Sequence, residues 1–431
     1  MDTIVDIDQN TILSFLSEGI DQLRMLPIPF ARQWSNTRIM HRSEGRLTMQ
    51  LSSRPDFRLL IGPSISAVAR FTESLSRDSR FQRWFHADPA TTQMIRLIQA
   101  DPGRVGRSLL NDYLYLVNEL VYDPAHGVEI AGAFLNSLET GTVSVLYFSP
   151  VKGLHCDFNL ARLPNNLALK RLSDDGCSRL IDQRPELMED EDLLTHQYII
   201  QRVTSIPVQE SIPPAHSIRD EVYKVITALR LLKPGRVCAT DLCRTGEVPG
   251  QLPVNMHAVG PLVNRRSAGR TYVLNESDLP CLVQILNGLN SDIPDKVPLA
   301  INRVNSAAER QTPEDQIIDL IIALEALYGG SDSEAIGYKI RLRAATYLSD
   351  SPEGRLEMFK LLKQAYDERS KVVHGCTRPK RNGARTNLVD RLLECVQQTI
   401  RRRLADPRGF VETDWDRFVL TGNTVAPAQE T

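Results

Sequence analysis

Two segments in the C-terminal third carry the same helix-start chemistry, and this feature constrains the fold more than any other. Thr312 is followed by a proline and two acidic residues, and Ser351 by a proline and one acidic residue. A hydroxyl at the N-cap, a proline in the first turn and nearby carboxylates all favour the start of a helix. Glycine is the usual residue just past a helix end, so Gly329 and Gly375 predict where these two helices stop.

Similar signals divide residues 311–410 into four helices. Helices are predicted over residues 313–328, 334–348, 352–374 and 386–404, with a basic loop over residues 376–385. Helices of ~12–22 residues joined by short connections are typical of an antiparallel four-helix bundle. We therefore predict an all-α domain over residues 311–410.

The first half of the chain has a mixed pattern. Apolar spacing predicts a helix over residues 108–121, and β-branched and aromatic residues predict a strand over 142–148 that ends at Ser149–Pro150. Weaker strand signals occur over residues 167–172 and 197–203. A mixed α/β domain is therefore predicted for the N-terminal part.

Prolines at positions 207, 213 and 214 mark the end of this domain. The predicted organisation is a mixed domain over residues 1–205, a helical and loop connecting region over 206–310, the bundle over 311–410 and a disordered tail over 421–431. The predicted fold class is α+β, a mixed α/β N-terminal region followed by a C-terminal helical bundle. Domain order suggests a sensor role for residues 1–205, in which no motif indicates a chemical activity.

Composition limits the location and the partners of the chain. No run reaches the ~18–20 apolar residues that span a membrane, and the N-terminus lacks a basic-then-apolar signal pattern. The seven cysteines are dispersed without a CxxC pair, which is typical of reduced thiols. We expect a cytoplasmic protein with no membrane partner, no metal and no cofactor. Because the net charge is −2, nucleic-acid binding would require a local basic patch.

Charged residues lie within the apolar arcs of three predicted helices. On a helical wheel Arg369 falls at the centre of the apolar arc of the third helix, Glu325 lies among isoleucines of the first, and Arg343 lies beside Ile340 of the second. A charge in such a place is costly unless it is paired or functional. Mutual pairing of these three residues is therefore a hypothesis, either as a buried ion network or as a support for an active-site arginine. Alternatively, Arg369 extends its charged end to solvent.

His374 follows Arg369 by five positions, at the predicted end of the third helix. On an ideal helix the two residues are about 140° apart and do not share a face. Fraying at Gly375 would let the imidazole turn toward the arginine, or toward a second copy across a dimer axis. The spacing alone has little specificity, since Arg80 and His86 form a similar pair that we interpret as structural.

The surroundings of Arg369 are strongly basic. Residues 369–403 contain ten lysines and arginines against two acids, a local excess of +8. These ten are Arg369, Lys371, Arg378, Lys380, Arg381, Arg385, Arg391, Arg401, Arg402 and Arg403. Such a cluster suits phosphate binding. The alternative is a solvated helix face whose last arginines complement the helix dipole.

Three segments together resemble one family. Residues 321–327 (IIALEAL), 340–348 (IRLRAATYL) and 366–375 (YDERSKVVHG) are similar to the HEPN domain of ApeA-like bacterial proteins. The resemblance is close over residues 311–410 and looser over 270–310. The motif of the HEPN superfamily is an arginine, a neighbouring polar residue and a histidine after four to six intervening positions. It maps onto the residues Arg369, Ser370 and His374, although many members have Asn or Asp in place of the serine.

This resemblance implies a metal-independent endoribonuclease of a phage-defence or toxin–antitoxin system, formed where two copies meet. The 2′-hydroxyl of the RNA would attack the adjacent phosphate, with His374 as general base or acid. Arg369 would stabilise the developing phosphorane charge, and Ser370 would orient the phosphate or the histidine. Glu325 and Arg343 would position these groups.

The expected partners follow from the same resemblance. They are RNA, a second copy bound through the bundle, and an antitoxin or trigger protein. The residues expected to bind RNA are Lys371, Arg378, Lys380, Arg381 and Arg385.

Two other interpretations remain open. In one, the bundle is a non-catalytic dimer that binds RNA or a protein, and its arginine and histidine serve structure. In the other, the N-terminal region carries the main activity and the bundle only dimerises.

Overall fold

The protein has an α+β fold, as the sequence predicts, with a small antiparallel sheet in the N-terminal half and helices in the C-terminal part. The computed structural model describes residues 6–26, 34–43, 46–55, 65–85, 93–117, 120–172, 197–207, 215–245, 257–261, 271–293, 296–329, 335–374, 382–405 and 415–421. Three predicted RNA-binding residues, Arg378, Lys380 and Arg381, lie outside these ranges, as do Gly375 and the predicted tail from residue 422 onward.

The helices and strands are numbered in chain order. The helices are α1 (Gln9–Met25), α2 (Ser66–Ser76), α3 (Ser79–Arg83), α4 (Gln93–Ala100), α5 (Arg104–Val117), α6 (Pro124–Thr140), α7 (Ala215–Leu232), α8 (Leu279–Leu289), α9 (Val297–Glu309), α10 (Pro313–Tyr328), α11 (Ile336–Leu348), α12 (Pro352–Val373), α13 (Asn382–Ala405) and α14 (Trp415–Thr421). The strands are β1 (Trp34–Ser43), β2 (Arg46–Pro55), β3 (Thr142–Lys152), β4 (Leu154–Cys156), β5 (Leu160–Arg162), β6 (Leu167–Arg171), β7 (Tyr198–Pro207), β8 (Cys238–Ala239), β9 (Asp241–Thr245), β10 (His257–Pro261) and β11 (Tyr272–Leu274).

The chain divides into two units. The first contains residues 1–150, 166–219 and 241–261, and the second contains residues 151–165, 220–240 and 262–431. Helices α8 and α9 and most of α7, which lie in the predicted connecting region, therefore belong to the second unit.

The first unit has a helical core and a sheet. Helices α1, α2, α5 and α6 pack together, and the rings of Phe15 and Phe71 stack between them at 4.2 Å. Strands β1 and β2 pair in an antiparallel hairpin, and the sheet of this unit has the strand order β10-β9-β3-β7-β6. The predicted strands over 167–172 and 197–203 are confirmed as β6 and β7.

One strand end was predicted wrongly. Strand β3 does not stop at Ser149–Pro150 but continues to Lys152. Val151 and Lys152 pair with the two residues of β8. These distant partners supply the ladder hydrogen bonds that a local proline signal does not reveal.

The second unit is the helical domain that contains the predicted bundle. Helix α10 contacts α9, α11, α12 and α13, and α8 also packs on α13. The predicted N-caps are confirmed, because the Thr312 hydroxyl accepts from the Asp315 amide at 3.3 Å and the Ser351 hydroxyl from the Gly354 amide at 3.1 Å. Helix α13 begins at Asn382, four residues earlier than predicted, so the predicted loop over 376–385 is shorter.

None of the helices in the described ranges combines the length and the apolar character that crossing a lipid bilayer requires.

The close approach of α8 to α13 generates a prediction. A Cβ at Gly288 would lie 2.8 Å from Leu404 Cβ and 3.1 Å from the Leu404 carbonyl oxygen. Gly288→Ala should therefore lower the free energy of unfolding of the second unit by about 1–3 kcal/mol, less any gain in helix propensity. Urea unfolding measures this change.

Gly132→Ala is the matched control. A Cβ at this position in α6 meets nothing within 4 Å. The control should be neutral or should stabilise the first unit by up to about 1 kcal/mol. Equal effects of the two substitutions would contradict the proposed close packing.

Candidate functional site

The candidate site lies on the last turns of α12. The buried residues of this helix are Leu361, Leu362, Ala365 and Glu368. Arg369, which the helical wheel places at the centre of the apolar arc, is half-buried, with 35% of its side chain exposed. Glu368 belongs to the buried face of α12, whereas the apolar side chain of Val373 is 61% exposed.

Arg369 is held by a carboxylate from α10. Its guanidinium lies 3.3 Å from Glu325 Oε1, which confirms this part of the predicted pairing. The hydroxyl of Tyr366 lies 3.5 Å from the same oxygen. Burial, reinforced by the Glu325 carboxylate, raises the pKa of Tyr366, so this hydroxyl is protonated near neutral pH and can donate to Glu325. In the described part of the chain, the buried Arg369 Nε has no hydrogen-bond partner.

The contacts of Arg343 differ from the predicted ones. Its guanidinium donates to the carbonyl oxygens of Tyr328 and Gly329, both at 2.8 Å. It also lies over the Trp415 ring at 5.6 Å. Arg343 therefore satisfies the carbonyls at the C-terminal end of α10, which would otherwise lack partners. The predicted pairing of Glu325 with two arginines is corrected to an ion pair with Arg369.

Ser370 and His374 are both exposed. His374 is the C-cap of α12, and its backbone N–H donates to the Ser370 carbonyl at 3.0 Å. The helix thus continues to the histidine, as predicted. The structure places the three motif residues within the last two turns of one helix, with the arginine anchored and the other two facing solvent.

A buried ion network lies beside the motif. Glu368 and Arg385 are 4% and 6% exposed, and Glu368 Oε2 lies 3.4 Å from Arg385 Nε. Arg385 also pairs with Glu314, and Lys371 Nζ lies 2.8 Å from Glu368 Oε1. The network joins the start of α10, the end of α12 and the start of α13.

This network corrects the interpretation of Arg385. The residue was predicted to lie in a basic loop and to bind RNA, but it is a buried residue of α13 whose guanidinium binds two carboxylates. A charge so enclosed is not presented to a polyanion, so we exclude Arg385 from the candidate surface.

Most residues of the basic cluster bind other groups of the protein. Seven of its ten members lie in the described ranges, and each has an intramolecular partner. Four are ion-paired: Arg369, Lys371, Arg385 and Arg391. Three donate to helix carbonyls: Arg401 to Leu231 and Leu232, Arg402 to Tyr347, and Arg403 to Leu327. The excess of +8 therefore overstates the positive charge available to a ligand.

Two residues of the site, Glu368 and Tyr366, were not predicted from the sequence. Glu368 follows the buried Leu361 and Ala365 at the helical spacings of seven and three residues, and this pattern would have identified it as a buried acid. Tyr366 contributes a phenol beside Glu325, and this hydroxyl offers a hydrogen-bond donor that apolar periodicity does not reveal.

Arg80, the arginine of the second arginine–histidine pair, has a structural role. Arg80 is paired with Asp78 and Glu139, and it also donates to the Ile7 carbonyl. Burial raises the pKa of Asp78, but the bonds from Arg80, Ile7 and Phe81 outweigh it and lower the pKa overall. This agrees with the structural interpretation, although His86 lies outside the described residues.

Among the described residues, no group of three or more histidines, cysteines, aspartates or glutamates is arranged to hold a metal ion. In comparisons with known proteins, no family model, no curated protein and no solved structure matches the chain. Function is therefore inferred from the site itself.

The buried network generates a stability prediction. Arg385→Met removes the buried guanidinium that pairs with both Glu314 and Glu368 and so weakens the charge compensation of these two carboxylates. Such a loss costs about 3–5 kcal/mol. Chemical denaturation of the full chain measures the change.

Arg391→Ala on the same helix is the control. Arg391 is 47% exposed and pairs with Glu357, which is 74% exposed. An exposed pair contributes about 0–1 kcal/mol. If Arg385→Met were as mild as Arg391→Ala, the buried network would not stabilise the end of α12.

Proposed function

We propose that the chain is a metal-independent endoribonuclease of the HEPN type, acting in phage defence or as a toxin. Arg369, Ser370 and His374 are the proposed catalytic residues. Lys371, Arg378, Lys380 and Arg381 are the proposed RNA contacts. The proposed partners are RNA, a second copy of the chain, and an antitoxin or trigger protein.

The observation that carries the proposal is the anchored arginine. Glu325 fixes Arg369 at 3.3 Å, yet a third of the arginine side chain stays exposed beside Ser370 and His374. A guanidinium that is positioned in advance and still accessible can stabilise charge on a phosphate without reorganising.

The proposed reaction needs only proton transfer and charge stabilisation. A general base removes the proton of the 2′-hydroxyl, and the oxygen attacks the adjacent phosphorus. The bond from phosphorus to the 5′-oxygen then breaks, and a general acid gives this oxygen a proton. The products are a 2′,3′-cyclic phosphate and a 5′-hydroxyl. Imidazole suits both proton transfers near neutral pH, so His374 takes one of them and the second copy is expected to supply the other.

A non-catalytic helical module is the second candidate. It is favoured because another carboxylate of α10 also binds arginines: Asp319 lies 3.0 Å from Arg303 and 2.8 Å from Arg310. By this interpretation Arg369 is one more arginine that ties a helix to α10. The exposure of Ser370 and His374 favours the enzyme.

The proposal predicts cleavage of a mixed RNA pool in the presence of EDTA. Replacing His374 with Ala should lower the rate about 10²–10⁴-fold, because a proton-transfer group is lost. Arg369→Ala should lower it about 10²–10³-fold, because the phosphorane loses a fixed donor. Gel analysis of the products, with detection of a cyclic phosphate end, measures both effects.

His155→Ala is the matched control, since His155 is an exposed histidine in the same unit. It should cleave like the wild type. Wild-type cleavage that survives both motif substitutions would place the active site elsewhere. If the purified protein binds RNA, and RNA is cleaved neither by this protein nor in cells that express it, the non-catalytic module would be favoured.

A second prediction concerns Glu325. Glu325→Gln keeps the size of the side chain but removes the charge that holds Arg369. We expect kcat to fall about tenfold with KM nearly unchanged, because a charge-assisted bond is roughly twice as strong as a neutral one. Tyr366→Phe, which removes only the 3.5 Å contact, should have a smaller effect. A change confined to KM would mean that Glu325 acts on substrate binding instead.

A further inference from the structure

Aromatic rings and an arginine form a cluster where α11 packs on α12, the helix that carries the motif. On α11, Tyr338 is 53% exposed, and its ring meets the Phe359 ring of α12 edge to face at 5.8 Å. The guanidinium carbon of Arg341 lies 5.0 Å from the Phe359 ring centre and 5.8 Å from that of Tyr338. Arg341 Nε donates to the Gly337 carbonyl at 2.8 Å, so the guanidinium is fixed against the rings.

This cluster is continuous with the catalytic motif along one face of α12. The residues of that face are Phe359, Lys363, Tyr366, Ser370 and His374. On an ideal helix they fall within an arc of about 80° and extend over roughly 22 Å. The Tyr366 ring lies against Gly337 of α11, where a Cβ would be 3.6 Å away, so α11 and α12 meet closely along this face.

The chemistry of the face fits a single-stranded nucleic acid. Exposed aromatic rings and arginine planes stack on unpaired bases, and nearby cations attract the backbone. Lys363 is exposed, and Arg341 and Arg369 are partly exposed. Of the acids nearby, Glu325 is paired with Arg369, and Asp367 lies at the edge of the face.

A second copy of the chain fits this part of the face less well. Apposing two copies across Tyr338 and Arg341 would bring like charges together, and like charges that face each other oppose association. The phosphates of a nucleic acid, in contrast, would neutralise these positive charges.

We propose that Tyr338, Arg341 and Phe359 form a stacking site for an unpaired nucleobase, which places the adjoining backbone along α12 toward Arg369 and His374. This inference rests on the proposed function only in taking that nucleic acid to be the RNA that is cleaved. The site would set where along a strand the cut falls, since it fixes one base relative to the motif.

The test is binding of a fluorescein-labelled 2′-O-methyl oligouridylate to the full chain, measured by fluorescence anisotropy. The blocked 2′-oxygen cannot attack, so binding is measured without cleavage. Because stacking contributes about 1–3 kcal/mol per base, Tyr338→Ala should raise Kd about 5- to 150-fold. Tyr338→Phe keeps the ring and should bind like the wild type. An oligomer of the same length without bases should bind the wild type as weakly as the normal oligomer binds Tyr338→Ala.

Leu299→Ala is the matched control, because Leu299 is a 45% exposed apolar residue on α9 of the same unit. It should leave Kd unchanged. Wild-type affinity in Tyr338→Ala, or equal affinity for the oligomer without bases, would overturn the inference. So would a change from dimer to monomer in Tyr338→Ala with Kd unchanged, since the face would then be an interface between copies.

The two proposals can fail separately. If the wild type cleaves RNA at the motif but Tyr338→Ala binds normally, only the stacking site is wrong. If the wild type cleaves no RNA but Tyr338→Ala loses affinity for the oligomer, the stacking site stands and the enzyme does not.

Discussion

The packing of the helical unit depends on the carboxylates of α10, a helix that contacts α9, α11, α12 and α13. Its buried residues are mostly apolar, and three carboxylates along it bind arginines. Glu314 binds Arg385 of α13, Asp319 binds Arg303 of α9 and Arg310 just after it, and Glu325 binds Arg369 of α12. Asp319 is buried and requires a partner, because an unpaired charge in the interior costs several kcal/mol, whereas Glu314 and Glu325 are partly buried. The orientation of three helices is thereby tied to one.

Helix ends impose a second constraint, and arginines meet it. The last carbonyls of a helix have no partner within it. Arg343 and Arg403 bind those at the end of α10, and Arg402 binds one near the end of α11. Arginine suits this use because its several donors lie in a fixed plane and its charge complements the negative end of the helix dipole. A segment rich in arginine can therefore be structural, even where its composition suggests a phosphate site.

These constraints separate the structural arginines from the candidate functional one. Arg385 and Arg403 are nearly enclosed, whereas Arg369 is bound on one side and accessible on the other. The sequence could indicate that Arg369 was unusual, since a charge within an apolar arc requires an explanation. It could not show that Arg385 is enclosed, because the sequence predicts this residue in a loop, and only packing decides which basic side chain is covered.

The sequence by itself determined the four helices of the predicted bundle, apart from the start of α13, because capping residues, prolines and apolar periodicity act within a few positions of each helix end. It also determined the fold class and the spacing of the proposed motif. Only the tertiary structure decided which carboxylate each arginine binds and how far β3 extends. It also brought Tyr338 of α11 beside Phe359 of α12. Such contacts join residues far apart in the chain, and local propensities carry no information about which distant partner compensates a buried charge.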